Sequence, residues 1–199
     1  MRRWFSLIMV IIGYFAVISQ FKLMIDTSEV SPTETLIRFF SFFTILTNSM
    51  VAIYHSFELA GSKRLRKPAL LTALTVYIFI VGLIYQIALR SIWEPQGLAM
   101  VVDELLHSLI PFLSLIYWWL YEDAKLLKWE QIPWFLIYPL IYLIYILIRG
   151  AYSGFYPYPF LQVDEIGWTQ SLQNIGLLFF TFLAFGSLFL GLVKRKQRS

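Results

Sequence analysis

Six stretches of the chain are almost wholly apolar, and each is long enough to cross a lipid bilayer as an α-helix. A hydrocarbon core of about 30 Å needs roughly 20 apolar residues at a rise of about 1.5 Å per residue. We therefore predict an all-α integral membrane fold, a bundle of six transmembrane helices that forms a single domain over residues 1–199. The helices lie near residues 4–25, 35–59, 69–91, 102–121, 132–149 and 168–193.

Positive charge collects on one side of these predicted helices. Most of the 16 Lys and Arg residues lie near the N-terminus, in residues 63–67 and 125–128, or near the C-terminus. The alternate connectors are acidic and carry Asp26, Glu29, Glu34, Glu94, Asp164 and Glu165. Because Lys and Arg flank membrane helices on the cytoplasmic side, we expect both termini in the cytoplasm.

Composition narrows the class of protein further. Hydrophobic residues make up 59% of the chain and charged residues 14%, which excludes a soluble domain. The chain has no cysteine, which excludes disulfides and thiolate chemistry, and its 2 histidines are too few for a three-histidine metal hydrolase. We expect no metal and no cofactor. The basic residues flank apolar segments and form no basic face, so we expect no nucleic-acid partner.

Polar side chains recur along one face of five of the six predicted helices. Lipid cannot satisfy their hydrogen bonds, so these faces should turn toward one another or toward a wet cavity. They contain Ser41, Thr44, Thr47 and Asn48 on the second helix, Gln86 and Arg90 on the third, Asp103, His107 and Ser114 on the fourth, Tyr138, Tyr142, Tyr145 and Arg149 on the fifth, and Gln170, Asn174 and Thr181 on the sixth.

His107 is the strongest candidate for a functional residue, because an ionisable side chain at membrane depth is costly and usually has a role. It lies about 9 Å below the outer end of its predicted helix, and Thr44 lies about 13 Å below the outer end of the second. A hydroxyl nucleophile and an imidazole base could therefore meet. We expect Asp103 to orient the imidazole, and Asn48 or a tyrosine hydroxyl to stabilise an oxyanion.

The arginines near the outer helix ends are candidates for substrate binding. Arg38, Arg90 and Arg149 either snorkel to the interface or hold a carboxylate or phosphate head group. Tyr145 and Asn174, which belong to the polar faces described above, are the other two candidates for substrate binding.

The candidate catalytic residues also have a structural interpretation. Membrane threonines and asparagines often bond to their own helix or join neighbouring helices, which would account for Thr44 and Asn48 without catalysis. The alternative to a hydrolase is accordingly a non-catalytic protein, either a transporter of a small solute or a lipid-binding scaffold.

Three segments, spread over nearly the whole chain, resemble the androgen-induced-gene family of membrane proteins. They are Phe42-Phe43-Thr44 ahead of Asn48, the run from His107 to Phe112, and the run from Gly154 to Leu161. Eukaryotic members are threonine-dependent hydrolases of fatty acid esters of hydroxy fatty acids. The resemblance implies that Thr44 is the nucleophile and His107 the base, acting on a lipid or fatty-acid ester. It is closer to the bacterial six-helix branch, which implies a bacterial cell membrane.

Overall fold

The computed structural model describes residues 1–62, 64–67 and 69–196, and every regular element in these ranges is helical. Within them, eight α-helices follow one another. They are α1 (Arg2–Asp26), α2 (Pro32–Phe39), α3 (Phe43–Leu59), α4 (Leu70–Ile84), α5 (Leu98–Glu104), α6 (Ile110–Tyr121), α7 (Ile137–Ser153) and α8 (Val163–Lys196). Two residues of the basic clusters that predict the orientation, Lys63 and Arg198, lie outside the described residues.

Five segments of the described chain are long and apolar enough to cross a membrane, and the bent pair of α2 and α3 adds a sixth if it is one span. The five are Arg2–Asp26, Leu70–Leu89, Leu98–Tyr121, Trp129–Ser153 and Val163–Lys196. Some of them extend an α-helix with another helical form, namely the π-helical turns Tyr85–Leu89 and Leu105–Leu109 and the 3-10 helix Trp129–Leu136. The predicted all-helical, multi-pass class is confirmed.

The single helix predicted over residues 35–59 is wrong. The chain leaves the helical path at residues 40–42, and α3 continues at 72° to α2. The Tyr142 hydroxyl donates to the Ser41 carbonyl at 2.8 Å, and Ser41 Oγ donates to the Ile37 carbonyl at 2.7 Å. Because these bonds satisfy polar groups at the break, a helix can begin inside the protein.

The α4 segment lies at the centre of the bundle. Its span is 67% buried, against 17–33% for the other four single spans. Small residues bring α1 close to α3, since a Cβ on Gly13 would lie 3.0 Å from the Cβ of Ala52. Helices α3, α6 and α8 therefore pack against α4, and α1 packs against α3.

At the end of the bundle that holds the N-terminus, a buried carboxylate holds two arginines. Glu58 Oε2 lies 2.7 Å from Arg2 Nε, and Arg66 donates to Oε1 at 2.6 Å and to Oε2 at 3.0 Å. The Glu58 side chain is only 2% exposed. It therefore joins α1, α3 and the loop after α3 through charge-assisted hydrogen bonds.

The loop after α7 is held against that helix by a close contact. Gly154 ends α7 with a left-handed conformation, φ 66°, and the chain then turns back. The Tyr156 ring packs on Gly150, where a Cβ would lie 2.1 Å from a ring carbon. This contact fixes the loop, which carries the buried residue Tyr158 two positions later.

Candidate functional site

Thr44 lies in the first turn of α3, directly after the break in the chain. The first N–H groups of a helix have no partners in that helix, and they carry a partial positive charge. Thr44 is 8% exposed, so this helix start is enclosed by the protein. A negative charge that forms beside Thr44 would therefore be stabilised by the start of α3.

Tyr158 contacts Thr44 through two polar atoms. Its hydroxyl accepts from the Thr44 backbone N–H at 3.3 Å and lies 3.3 Å from Thr44 Oγ1. Accepting a hydrogen bond uses only a lone pair of the hydroxyl, so its proton remains available to Oγ1 or to a negatively charged oxygen that forms nearby. Burial raises the pKa of Tyr158, so the phenol keeps that proton at neutral pH.

His107 lies in the π-helical turn Leu105–Leu109, and Asp103 orients its ring. Nδ1 lies 3.0 Å from the Asp103 carbonyl oxygen and 3.1 Å from Asp103 Oδ1. Both oxygens are acceptors, so in the neutral ring Nδ1 carries the proton and Nε2 presents a lone pair. Within the described chain Nε2 has no hydrogen-bond partner. This is the tautomer that a general base requires.

Pro111 explains why the helix changes form at His107. In a regular α-helix the Pro111 ring would crowd the His107 carbonyl, and Pro111 has no N–H to donate to that carbonyl. A π-helical turn relieves this conflict. The carbonyl instead lies close to Gly82 of α4, where a Cβ would be 2.9 Å from it and 3.2 Å from the Pro111 Cβ. The backbone of His107 is therefore seated against α4 at a glycine.

Tyr85 supports both Asp103 and His107. Its hydroxyl donates to Asp103 Oδ2, and its ring stacks on the imidazole with 4.2 Å between centroids and 12° between planes. Tyr85 begins the π-helical turn Tyr85–Leu89, which extends α4. The three side chains thus form one connected set in which the imidazole is held at its edge and on its face.

Thr44 and His107 line the same cavity, which has a volume of about 540 Å³. Tyr85, Asp103 and Tyr158 also line it, and the rest of its wall is mostly apolar. This size is typical of sites for small molecules. Among the described residues no hydrogen bond joins Thr44 to His107, and the Thr44 hydroxyl bonds to Tyr158.

A second hollow, of about 70 Å³, also reaches Thr44. Thr44, Tyr158 and Leu89 line both spaces. The remaining wall of the small hollow comes mainly from α4, α7 and α8 and is apolar apart from Tyr142, whose hydroxyl is bonded to a backbone carbonyl. Thr44 therefore forms part of the wall of both spaces.

Asn48 joins α3 to the turn that carries His107. Its Nδ2 donates to the Thr44 carbonyl at 2.9 Å and to the Leu106 carbonyl at 3.2 Å, and the residue is 0% exposed. Both amide hydrogens are used, so none remains for the oxyanion role expected from the sequence. Asn48 therefore joins α3 to the turn that carries His107, and of the two expected donors, Asn48 or a tyrosine hydroxyl, the structure places the Tyr158 hydroxyl next to Thr44 Oγ1.

Arg38 and Arg149 lie together, outside both cavities. Glu34 Oε1 accepts from Arg38 Nε and from Arg149 Nη2, each at 2.8 Å. Both guanidinium groups also lie over the ring of Phe155, at 4.7 and 4.8 Å. The structure therefore pairs these arginines with groups of the protein and does not bring them to the cavity wall as substrate-binding residues.

The other three residues expected to bind substrate also lie outside both cavities. Their hydrogen-bond partners are Glu104 for Arg90, Ser41 for Tyr145 and the Phe160 carbonyl for Asn174. Each of these contacts joins two neighbouring segments. The structure therefore places none of the five expected substrate-binding residues on the wall of either cavity.

Sequence reasoning did not single out Tyr85 or Tyr158, which the structure places in direct contact with the candidate catalytic residues. Tyr158 belongs to the run from Gly154 to Leu161 that supports the family resemblance, and this was the one available signal. Tyr85 had none, because its partners are distant in sequence. Its contacts depend on the packing of α4 and its π-helical extension against the turn that carries His107.

Metal chemistry has no ligand set in the described part of the chain, where no three His, Asp or Glu side chains are grouped to hold an ion. Comparisons of the sequence and structure with known protein families, with curated proteins and with solved structures found no match. The functional interpretation therefore depends on the residues and the geometry given above.

Proposed function

We propose that the protein is an integral membrane hydrolase that cleaves a lipid ester, with Thr44 as nucleophile and His107 as general acid and base. We also propose that it belongs to the androgen-induced-gene family, which its sequence resembles, and resides in a bacterial cell membrane. In this proposal six spans place both termini in the cytoplasm, and the cavity opens toward the outer leaflet. The distribution of Lys and Arg supports that orientation.

Thr44 and His107 come from different spans and line one largely apolar cavity of about 540 Å³. This observation carries the proposal, because it places a hydroxyl and an oriented base around a space suited to a lipid. A lipid-binding scaffold would have no need of an imidazole held by a carboxylate. The contacts of Asp103 and Tyr85 therefore favour catalysis over binding alone.

The first half of the reaction transfers the acyl group to the enzyme. When an ester enters, the Thr44 hydroxyl turns from Tyr158 toward the cavity and gives its proton to His107 Nε2. Its Oγ1 forms a bond to the acyl carbon, and the carbonyl electron pair moves onto the carbonyl oxygen. This tetrahedral intermediate then loses the alkoxy oxygen, which takes the proton from Nε2 and leaves as an alcohol.

The second half releases the acid. A water molecule in the cavity gives a proton to His107 Nε2 and attacks the acyl carbon of the Thr44 ester. The new tetrahedral intermediate expels Thr44 Oγ1, which recovers the proton, and a carboxylic acid departs. Throughout, Asp103 holds Nδ1 and stabilises the imidazolium that forms twice in each cycle.

The negative charge that develops on the carbonyl oxygen is the feature of the reaction that most needs stabilisation by the protein. The Tyr158 hydroxyl, which keeps its proton, and the positive end of α3 both lie beside Thr44. A donor aimed at a developing oxyanion contributes about 10²–10³ in rate. We propose that Tyr158 supplies it.

Turnover by purified variants tests the proposal. We expect the protein in detergent to hydrolyse a chromogenic lipid ester, and Thr44→Ala and His107→Ala each to lower kcat at least about a thousandfold. A fluorophosphonate probe should label the wild type and not Thr44→Ala. Thr44→Ser keeps a hydroxyl and should retain part of the activity.

Thr47→Ala is the matched control. Thr47 lies one turn further along α3, bonds to the Tyr138 hydroxyl at 3.1 Å and lines neither cavity. This variant should keep wild-type turnover. Full ester turnover by Thr44→Ala or His107→Ala would end the proposed mechanism.

A further inference from the structure

One face of α1 forms a wall of the cavity that contains Thr44 and His107. The residues on this face recur at the spacing of successive helical turns, and they are Gln20, Leu23, Met24 and Thr27. Gln20 lies about 9 Å before the end of α1, inside the first apolar span. The cavity wall therefore includes a primary amide within a membrane-spanning segment.

The Gln20 amide has no hydrogen-bond partner in the described part of the chain, and the residue is partly buried. The other polar side chains on the cavity wall bond to groups of the protein, except for the indole of Trp93, which is 57% exposed. They are Thr27, Thr44, Tyr85, Asp103, His107 and Tyr158. An amide at this depth is costly without a partner. The Gln20 N–H groups and carbonyl oxygen are thus free for a molecule that fills the cavity.

Gln20 and His107 come from segments that pack against each other. The turn Leu105–Leu109, which carries His107, contacts α1 directly. The imidazole must protonate the departing alkoxy oxygen, so the alcohol part of the ester begins within hydrogen-bonding reach of Nε2. The alcohol part is therefore the part of the substrate that lies on the α1 side of the cavity.

We infer that Gln20 is a specificity-determining residue, and that the substrate is a lipid ester whose alcohol part carries a second oxygen-containing group, a hydroxyl or a carboxyl, which the Gln20 amide binds. The inference rests on the proposed function. An amide donates and accepts hydrogen bonds, so it can bind either group. A site that bonds such a group discriminates against the analogue without it, because the polar group of the protein is then left unpaired.

A series of laurate esters isolates the second polar group. Within each set the alcohol part is a straight chain of one length that ends in a methyl group, a hydroxyl or a carboxyl. The sets cover butyl, octyl and dodecyl chains, so that the polar end is presented at different distances from the scissile bond. Comparison of the hydroxyl with the carboxyl identifies which of the two groups the amide prefers.

Gln20→Met is the variant that removes the amide, because methionine has a similar length and no hydrogen-bonding amide. Gln20→Leu is a second amide-free variant, should the first not fold. Gln170→Met is the matched control. Gln170 is exposed on α8, donates to Asn174 Oδ1 at 3.1 Å and lines neither cavity.

The measured quantity is the ratio of kcat/KM for a polar-ended ester to kcat/KM for the methyl-ended ester of the same length. In at least one set we expect this ratio to be at least about tenfold higher in the wild type than in Gln20→Met, which is the effect of about one hydrogen bond. Turnover of the methyl-ended esters should stay within about twofold of wild type, which also shows that the variant is folded. Gln170→Met should leave every ratio unchanged.

Ratios that are equal in the wild type and in the amide-free variants, in every set, would overturn the inference while the hydrolase proposal stands. An equal loss on all esters, in a variant with the wild-type melting temperature, would also overturn it, because Gln20 would then act on the reacting ester group or on water. Absence of turnover on every ester, with the wild type no faster than Thr44→Ala, would instead overturn the proposed function. Total turnover therefore reports on Thr44, and the ratio reports on Gln20.

Discussion

The imidazole of His107 lies flat against the phenol ring of Tyr85, with 4.2 Å between the ring centroids and 12° between their planes. The hydroxyl of the same tyrosine donates to Asp103 Oδ2, and Asp103 Oδ1 lies 3.1 Å from His107 Nδ1. Rotation of the imidazole would lose both the stacking and the hydrogen bond. The direction of Nε2 is therefore fixed by a residue that need not touch substrate.

Tyr85→Phe should lower kcat about tenfold with little change in KM. The variant keeps the ring that stacks on His107 and lines the cavity, and it removes the donor to Asp103. It therefore loosens the carboxylate that holds Nδ1; tenfold corresponds to about 1.4 kcal/mol. Tyr138→Phe, which removes a hydroxyl bonded to Thr47 away from both cavities, is the control. A rise in KM at constant kcat would instead assign Tyr85 to substrate binding.

Tyr158→Phe should lower kcat about 10²–10³-fold, the typical loss for one oxyanion donor. Tyr156→Phe, in the same loop but outside both cavities, should leave kcat unchanged. Burial raises the pKa of Tyr158 above its usual value near 10. The phenol therefore carries its donor proton at neutral pH and loses it only when the pH rises through that higher pKa. Steady-state rates between about pH 7 and 9 should therefore show no loss from this group. A wild-type kcat in Tyr158→Phe would exclude the role.

Gly82→Ala should reduce both activity and thermal stability. An alanine in a helix normally stabilises by about 1 kcal/mol relative to glycine. Here its Cβ would meet the His107 carbonyl at 2.9 Å, so α4 or the π-helical turn must move. Gly176→Ala is the control, because nothing lies within 4 Å of its Cβ. Melting curves and turnover that are equal for the two variants would contradict the close seating of His107 on α4.

Glu58→Gln should destabilise the protein by about 1–3 kcal/mol without a specific effect on kcat. The variant removes the buried charge that pairs with Arg2 and Arg66. Both arginine side chains are about a third exposed, at 32% and 36%, so they can turn toward water and the loss stays moderate. Glu130→Gln, at an exposed position, is the control. Equal melting temperatures for the two variants would show that the buried pair contributes nothing.

The apolar stretches were sufficient to predict the helical class and the approximate position of each span. They could not predict the break at residues 40–42, because the segment contains no Pro or Gly and has helical periodicity on both sides. The bond from the Tyr142 hydroxyl to the Ser41 carbonyl, which helps to stabilise the break, comes from a residue 101 positions away. Such a contact exists only after the helices have packed.

The candidate site also combines contacts that the sequence predicts with contacts that only the folded chain creates. Asp103 and His107 are one helical turn apart, so their contact followed from the sequence. The pairing of Glu34 with Arg38 has the same spacing, but its extension to Arg149 required tertiary structure. An expectation that these arginines bind substrate ignored the carboxylate that already neutralises part of their charge. Polar residues near helix ends can be predicted more easily than their partners.

The most direct test of the central claim is to map the acyl-enzyme. Purified protein would be mixed with an activated short-chain ester, quenched in acid within the first turnover and analysed by peptide mass spectrometry. The account predicts one acyl adduct, on Thr44, which disappears in Thr44→Ala and forms much more slowly in His107→Ala. An adduct on another residue, or ester turnover in which Thr44 is never acylated, would contradict it.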